Sequence, residues 1–203
     1  MLLTTSQAAA ELGCAVTTYR RLIQAGLLPG LERRGNRIMT PLQAVQALST
    51  RSHAPLHQLN VPEIAVLRVN AAQPPHTHDS EGTGFHTGLP AQVLLDTLRG
   101  WWRCDAASVA AGQVLPVTVS GYVVAVLTGL EPWQRNNEGR CTFSDARLAG
   151  YVTDLITPRF TYTSRADGDR SIANHLLGTR LPSDSGGPFA YVPTRTPDLT
   201  EAS

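Results

Sequence analysis

Two rhythms of apolar and polar positions run along this chain. Over the first fifty residues the rhythm is helical. Thr4, followed three residues on by Gln7, makes a capping box that satisfies orphan N–H groups at a helix start. A short helix is expected from Ser6 to Leu12, ended by Gly13. A second is expected from Val16 to Ala25, where Gly26 tolerates the positive φ of a C-terminal cap. Arg33, Arg34, Gly35, Asn36 and Arg37 read as a turn between the extended pieces Leu31-Glu32 and Ile38-Met39. Thr40 and Pro41 then predict the cap and first turn of a third helix through Leu42, Val45 and Leu48. Leu12, Cys14, Val16, Thr18, Leu22 and Leu28 are the expected core of this unit.

Beyond it, residues 51–60 read as a linker carrying Ser52, His53 and Pro55. Ile64 to Val69 predicts a buried strand, and residues 73–88 a polar loop. From Pro90 to Trp102 the apolar positions 93, 94, 95, 98, 101 and 102 suit a helix packed on a sheet. Val114 to Leu127 is the densest apolar stretch, with Pro116 and Ser120-Gly121 inside it. It reads as two strands, or as one strand bent at a bulge. Gly139 to Phe143 predicts a short strand, and Ser144 the cap of a helix through Leu148, Tyr151 and Leu155. From Ala166 onward Gly, Pro, Ser and Asp dominate, so residues 166–203 are expected to form an irregular tail. The predicted class is α+β: a helical unit at 1–50, a linker at 51–60, a small mixed α/β domain at 61–165 and the tail.

Charge sharpens this division. All 17 basic residues are arginine, a usage that GC-rich coding produces, so arginine content alone says little about phosphate binding. Its distribution says more. Residues 1–52 hold six arginines against Glu11 and Glu32, a net +4, while the remainder holds eleven against fourteen acids, a net −3. The N-terminal unit is the part suited to a polyanion. Helix, tight turn, helix and arginine-bearing hairpin together make a winged helix-turn-helix.

The residues that carry this order are Leu3 to Gly13, then Thr18-Tyr19-Arg20-Arg21-Leu22-Ile23-Gln24-Ala25-Gly26-Leu27-Leu28-Pro29, followed by Arg33-Arg34-Gly35-Asn36-Arg37. They resemble the MerR and excisionase-like DNA-binding domain, over about a quarter of the chain. The resemblance implies a second helix in the major groove, presenting Thr17, Arg20 and Arg21. It also implies a wing whose Arg33, Arg34, Asn36 and Arg37 meet backbone phosphates. The chain departs from the family at Ala15, a weak N-cap, and at Pro55, which interrupts the region where effector-sensing members have a long dimerising helix.

His76, His78 and His86, with Asp79 and Glu81, are metal-ligand types, yet their loop has no regular scaffold and no nearby cysteine; it reads as a solvated loop. Cys14, Cys104 and Cys141 are isolated and expected as free, buried thiols. Asp184-Ser185-Gly186-Gly187-Pro188 coincides with the nucleophile motif of chymotrypsin-like proteases, but no Ala-Ala-His-Cys motif precedes it, so it reads as a turn. Trp101, Trp102 and Trp133 are candidate ligand or interface residues, able with Tyr122 and Phe143 to form a stacking platform or apolar pocket. Trp101 and Trp102, adjacent on a helix, cannot share one face, so one of them is expected at a rim, interface or pocket. The run from Trp101 to Phe143 has a faint similarity to PUA-like barrels, which bind RNA or modified bases. No apolar run reaches the roughly 18 residues of a membrane span, and the first five residues lack a signal-peptide pattern.

The function expected from these readings is sequence-specific binding of double-stranded DNA by a cytoplasmic, nucleoid-associated transcriptional regulator. A homodimer or DNA-templated oligomer is expected, with a small-molecule or protein effector as a further partner and no membrane association. Neither catalysis, a metal nor a cofactor is expected. Two alternatives stand beside it: an architectural, excisionase-like or segregation protein, and a nucleic-acid sensor whose second domain binds RNA or a modified base.

Overall fold

The computed structural model of the protein describes residues 1–72, 84–183 and 187–195. His76, His78, Asp79 and Glu81 of the candidate metal loop, and Asp184, Ser185 and Gly186 of the protease-like motif, lie outside the described residues. The chain is mixed α+β, and no helix among the described residues is long and apolar enough to cross a membrane.

The N-terminal unit runs β1 (Leu2–Thr4), α1 (Thr5–Glu11), α2 (Val16–Gln24), β2 (Glu32–Arg34), β3 (Arg37–Pro41) and α3 (Leu42–Ser49). The capping box forms as expected: Thr4 Oγ1 accepts from the Gln7 N–H, and the Gln7 side chain accepts from the Thr4 N–H at 2.9 Å. Gly13 and Gly26 follow the first two helices at φ +69° and +71°. The three strands pair in the order β1-β3-β2, with Leu3 opposite Thr40 and Arg34 opposite Arg37. Arg33, Arg34 and Arg37 therefore lie in the strands, and the turn is only Gly35-Asn36, Gly35 taking φ +59°. Thr40 is not the cap of α3. It is a fully buried strand residue whose Oγ1 accepts from the Tyr19 hydroxyl at 3.2 Å, and α3 begins after Pro41 with no side-chain cap.

The rest of the chain adds β4 (Glu63–Arg68), α4 (Ala91–Leu98), α5 (Ala106–Ala111), β5 (Val114–Val119), β6 (Tyr122–Thr128), β7 (Trp133–Arg135), β8 (Cys141–Phe143), β9 (Arg147–Asp154), β10 (Arg159–Tyr162), α6 (Asp167–Leu176) and β11 (Phe189–Pro193). Among the described residues a six-stranded sheet has the order β10-β9-β6-β5-β4-β11, with only β4 and β5 parallel. The dense apolar stretch is two strands joined at Ser120-Gly121, both at positive φ, and β5 also shifts register between Val117 and Thr118. Every residue of both strands except the turn is buried, which is why no alternation shows in the sequence. Pro116 is tolerated in this central strand because the ladder to β4 begins one residue later, at Val117. The sheet is open, with β10 and β11 at its edges, and is not a PUA-like barrel.

Four expectations need correction. The helix predicted after Ser144 is the strand β9, held between β6 and β10. Leu148, Tyr151 and Leu155 have helical spacing by coincidence; Tyr151, Val152 and Thr153 favour a strand, and burial of Leu148, Ala149 and Gly150 in succession hides the period of two. The tail is not irregular. It contributes α6 and then β11, which pairs with β4 from Phe189 opposite Leu67 to Pro193 opposite Glu63. Composition misled here because α6 admits Gly168 and Ser171, and β11 ends on Pro193, once each element is packed against the sheet. Residues 51–60 are docked instead of running free: Arg180 N–H donates to Ser52 O and Ala54 N–H to Arg180 O, at 2.8 and 2.9 Å. Finally, α4 ends at Leu98, so Trp101 and Trp102 lie beyond the helix.

The two regions share one apolar core, in which Leu22, Leu27 and Leu48 join Leu115, Leu127 and Leu155. Hydrogen bonds stitch the seam. Leu155 N–H donates to Leu27 O and Thr87 N–H to Ala25 O, both at 3.0 Å, while Tyr122 Oη donates to Leu48 O at 3.2 Å.

Candidate nucleic-acid interface

Helix α2 is sharply two-faced. Tyr19 and Leu22 are fully buried, each burial contributing roughly 1.5–3 kcal/mol. On the opposite side Thr17, Arg20, Arg21 and Gln24 are all exposed, at the i, i+3, i+4, i+7 spacing of a single face. The Tyr19–Thr40 hydrogen bond ties the buried face of α2 to β3, so helix and hairpin hold a defined mutual position. Burial of this phenol pushes its pKa up, keeping the hydroxyl protonated as a donor.

Between the start of α1, the exposed face of α2 and the β2–β3 hairpin lies a cleft of about 590 Å³. Ser6, Arg20, Gln24, Asn36, Arg37 and Ile38 line it. Three of the sequence-predicted residues, Arg20, Asn36 and Arg37, are thus brought together. Thr17, Arg21, Arg33 and Arg34 are exposed on the same unit but do not line the cleft. Arg20, Arg21, Arg33 and Arg37 form no ion pair among the described residues. Arg34 meets Glu32 at 3.4 Å, with both side chains more than half exposed, and such a pair holds little energy. Ser6 and Gln24 were missed in the sequence; Gln24 follows from Thr17 and Arg20 by helical spacing alone.

The tryptophans divide. Trp102 is half-buried and packs edge-to-face on Phe189 at 6.3 Å, with its indole N–H donating to Leu98 O at 2.9 Å. Trp101 and Trp133 are 40% and 37% exposed. Trp101 and Trp102 line a groove of about 820 Å³ with Val93, Asp96, Arg99 and Arg140, whereas Trp133 stands apart beneath the Arg135 guanidinium at 5.9 Å. Charges at that groove are internally paired, Arg99 with Asp96 at 2.7 Å and Arg140 with Glu138 at 3.4 Å.

Among the described residues no group of three metal-ligating side chains comes together. His86 accepts from the Gly88 N–H at 2.9 Å, within its own turn. All three cysteines are free thiols; burial beside Cys141 pushes Cys104 up to about 12. No protein-family model matches the chain, and no curated protein or solved structure is detectably similar to it.

Proposed function

We propose that the protein binds double-stranded DNA in a sequence-specific manner and acts as a nucleoid-bound transcriptional regulator, using its N-terminal unit as a winged helix-turn-helix. The observation that carries this reading is the convergence of Arg20 from α2 with Asn36 and Arg37 from the hairpin on one open cleft, in a unit (residues 1–50) whose arginines outnumber its acids five to two. An exposed helix face of Thr, Arg, Arg and Gln matches what a major groove offers: acceptors at guanine for arginine and a donor–acceptor pair at adenine for glutamine. The hairpin's Arg33 and Arg37, which form no ion pair among the described residues, are suited to phosphates flanking that groove. One unit of this size makes few phosphate contacts, so useful affinity calls for two copies on adjacent half-sites.

The test is selection of bound sites from a random duplex library with the full chain, followed by titrations at several salt concentrations. An enriched palindrome or direct repeat is expected, with affinity falling steeply as salt rises. Arg20→Ala is expected to cost about 1–3 kcal/mol on the selected site and much less on random DNA, whereas Arg37→Ala weakens both evenly. Absence of any enriched motif overturns sequence specificity. Equal losses on both DNAs for Arg20→Ala remove it as a base reader.

A further inference from the structure

A second cleft, of about 630 Å³, opens on the seam between the N-terminal unit and the sheet domain. Its walls come from the end of α3 (Thr50, with Arg51 just beyond), from Pro158 and Phe160 at the start of β10, and from Asn174 and His175 in the last turn of α6. No carboxylate lines it, and its two ionisable side chains, Arg51 and His175, are both of the cationic type.

Arg51 is the unusual group. It is only partly exposed, and burial works to lower its pKa, so its charge stands in a poorly solvated place. Nη2 donates to the carbonyls of Leu155 and Ile156, at 2.5 and 2.9 Å. Nε is buried with no partner. Nη1 also lacks a partner among the described residues but, unlike Nε, keeps contact with solvent. The charge is only partly balanced from within. Arg51 has no ion pair among the described residues; the Asp154 carboxylate, whose Oδ1 accepts from the N–H groups of Ile156 and Thr157 at 2.8 and 2.9 Å, favours the charge only from beyond ion-pair distance. The α6 end, whose free carbonyls would repel an anion, is blunted by Thr179, which donates from N–H and Oγ1 to Leu176 O. A guanidinium partly removed from water with no counter-charge in direct contact is costly, and an anion in the cleft relieves that cost.

We propose that this cleft binds a small organic anion, a carboxylate or phosphate group on an apolar body, with the charged group at Nη1 of Arg51 and the body against Pro158 and Phe160. Such a ligand touches the N-terminal unit and the sheet domain at once. The proposal stands independently of DNA binding, and its test contains no DNA.

The full chain is melted at low ionic strength with salicylate, phenyl phosphate, inorganic phosphate or the neutral benzamide. A saturable rise in Tm is expected with salicylate or phenyl phosphate and none with benzamide; the tighter of the two charged probes tells carboxylate from phosphate, and inorganic phosphate measures the share of the apolar body. Arg51→Gln is expected to abolish the rise. His175→Glu, at an exposed position that tolerates replacement, is expected to weaken binding by about tenfold or more and carries the test if Arg51→Gln fails to fold. The proposal is overturned by no saturable rise with either charged aromatic probe, by an equal rise with benzamide, or by full affinity in both variants.

Discussion

Asp169 shows how a single side chain carries tertiary structure in this protein. It is the only acidic residue among the buried side chains described, with Ser164 Oγ donating to its Oδ2 at 2.7 Å and Arg147 Nε at 3.1 Å. Burial works to raise its pKa, but the bonds from Arg147 and Ser164 outweigh it and hold the carboxyl below its ordinary value of 3.8. A depressed carboxylate contributes stability above its unfolded pKa and loses it as pH falls through the folded one. The stability of the native chain should therefore drop in acid below about pH 4, and Asp169→Asn should flatten that drop while lowering stability at pH 7 by about 1–3 kcal/mol. Urea midpoints measured from pH 7 to pH 2 check both; parallel curves for the two proteins would remove the role. Ser164 lies only five residues before Asp169, but Arg147, 22 residues away, reaches it through the fold, so the local sequence does not mark Asp169 for this role. The exposed arginines were legible for the opposite reason: surface side chains on a short amphipathic helix follow from spacing alone.

At the scale of elements, caps and breakers did most of the work. Thr4 with Gln7, Gly13 and Gly26 each act where the sequence places them, because a helix terminus is satisfied by residues a few positions away. Gly26 has a second duty. A Cβ there would run into Thr87 Oγ1, which donates to the Gly26 carbonyl at 3.1 Å, and would meet the His86 ring at 3.2 Å. Gly26→Ala should cost roughly 1–2 kcal/mol for the left-handed backbone alone, and more for displacing Thr87. A chemical-denaturation midpoint equal to that of the native chain would show the contact to be slack. Strands were harder to read than helices. β9 carries a helical spacing by accident, and β11 hides among Gly and Pro, because a strand's identity rests on its neighbours in the sheet.

For the whole molecule, the shared core bears on how it unfolds. Tyr122 reaches Leu48, Ser120 Oγ donates to Thr18 O at 2.9 Å, and Leu155 bonds to Leu27, so the N-terminal unit completes the sheet domain's surface. A single unfolding transition is expected, with the amides of α2 and β6 opening at the same free energy by native-state hydrogen exchange. Earlier opening of α2 would show that the seam is weak. The docked seam also means that the proposed DNA-binding face is held in a fixed position relative to the sheet, with the Arg51 cleft on the seam between them.

Residue order alone was enough to reveal the helix–turn–helix–hairpin succession, its arginine faces and the apolar strands at the centre of the sheet. Each of these rests on spacing, capping or charge within a few residues of itself. The pairing of β11 with β4, the strand character of β9, the Tyr19–Thr40 bond, the docked segment at 51–60 and the unpartnered Nε of Arg51 came only with the folded chain. They depend on partners brought up by the fold, 21 residues away for Tyr19 and 104 for Arg51, and no local pattern encodes which group will arrive.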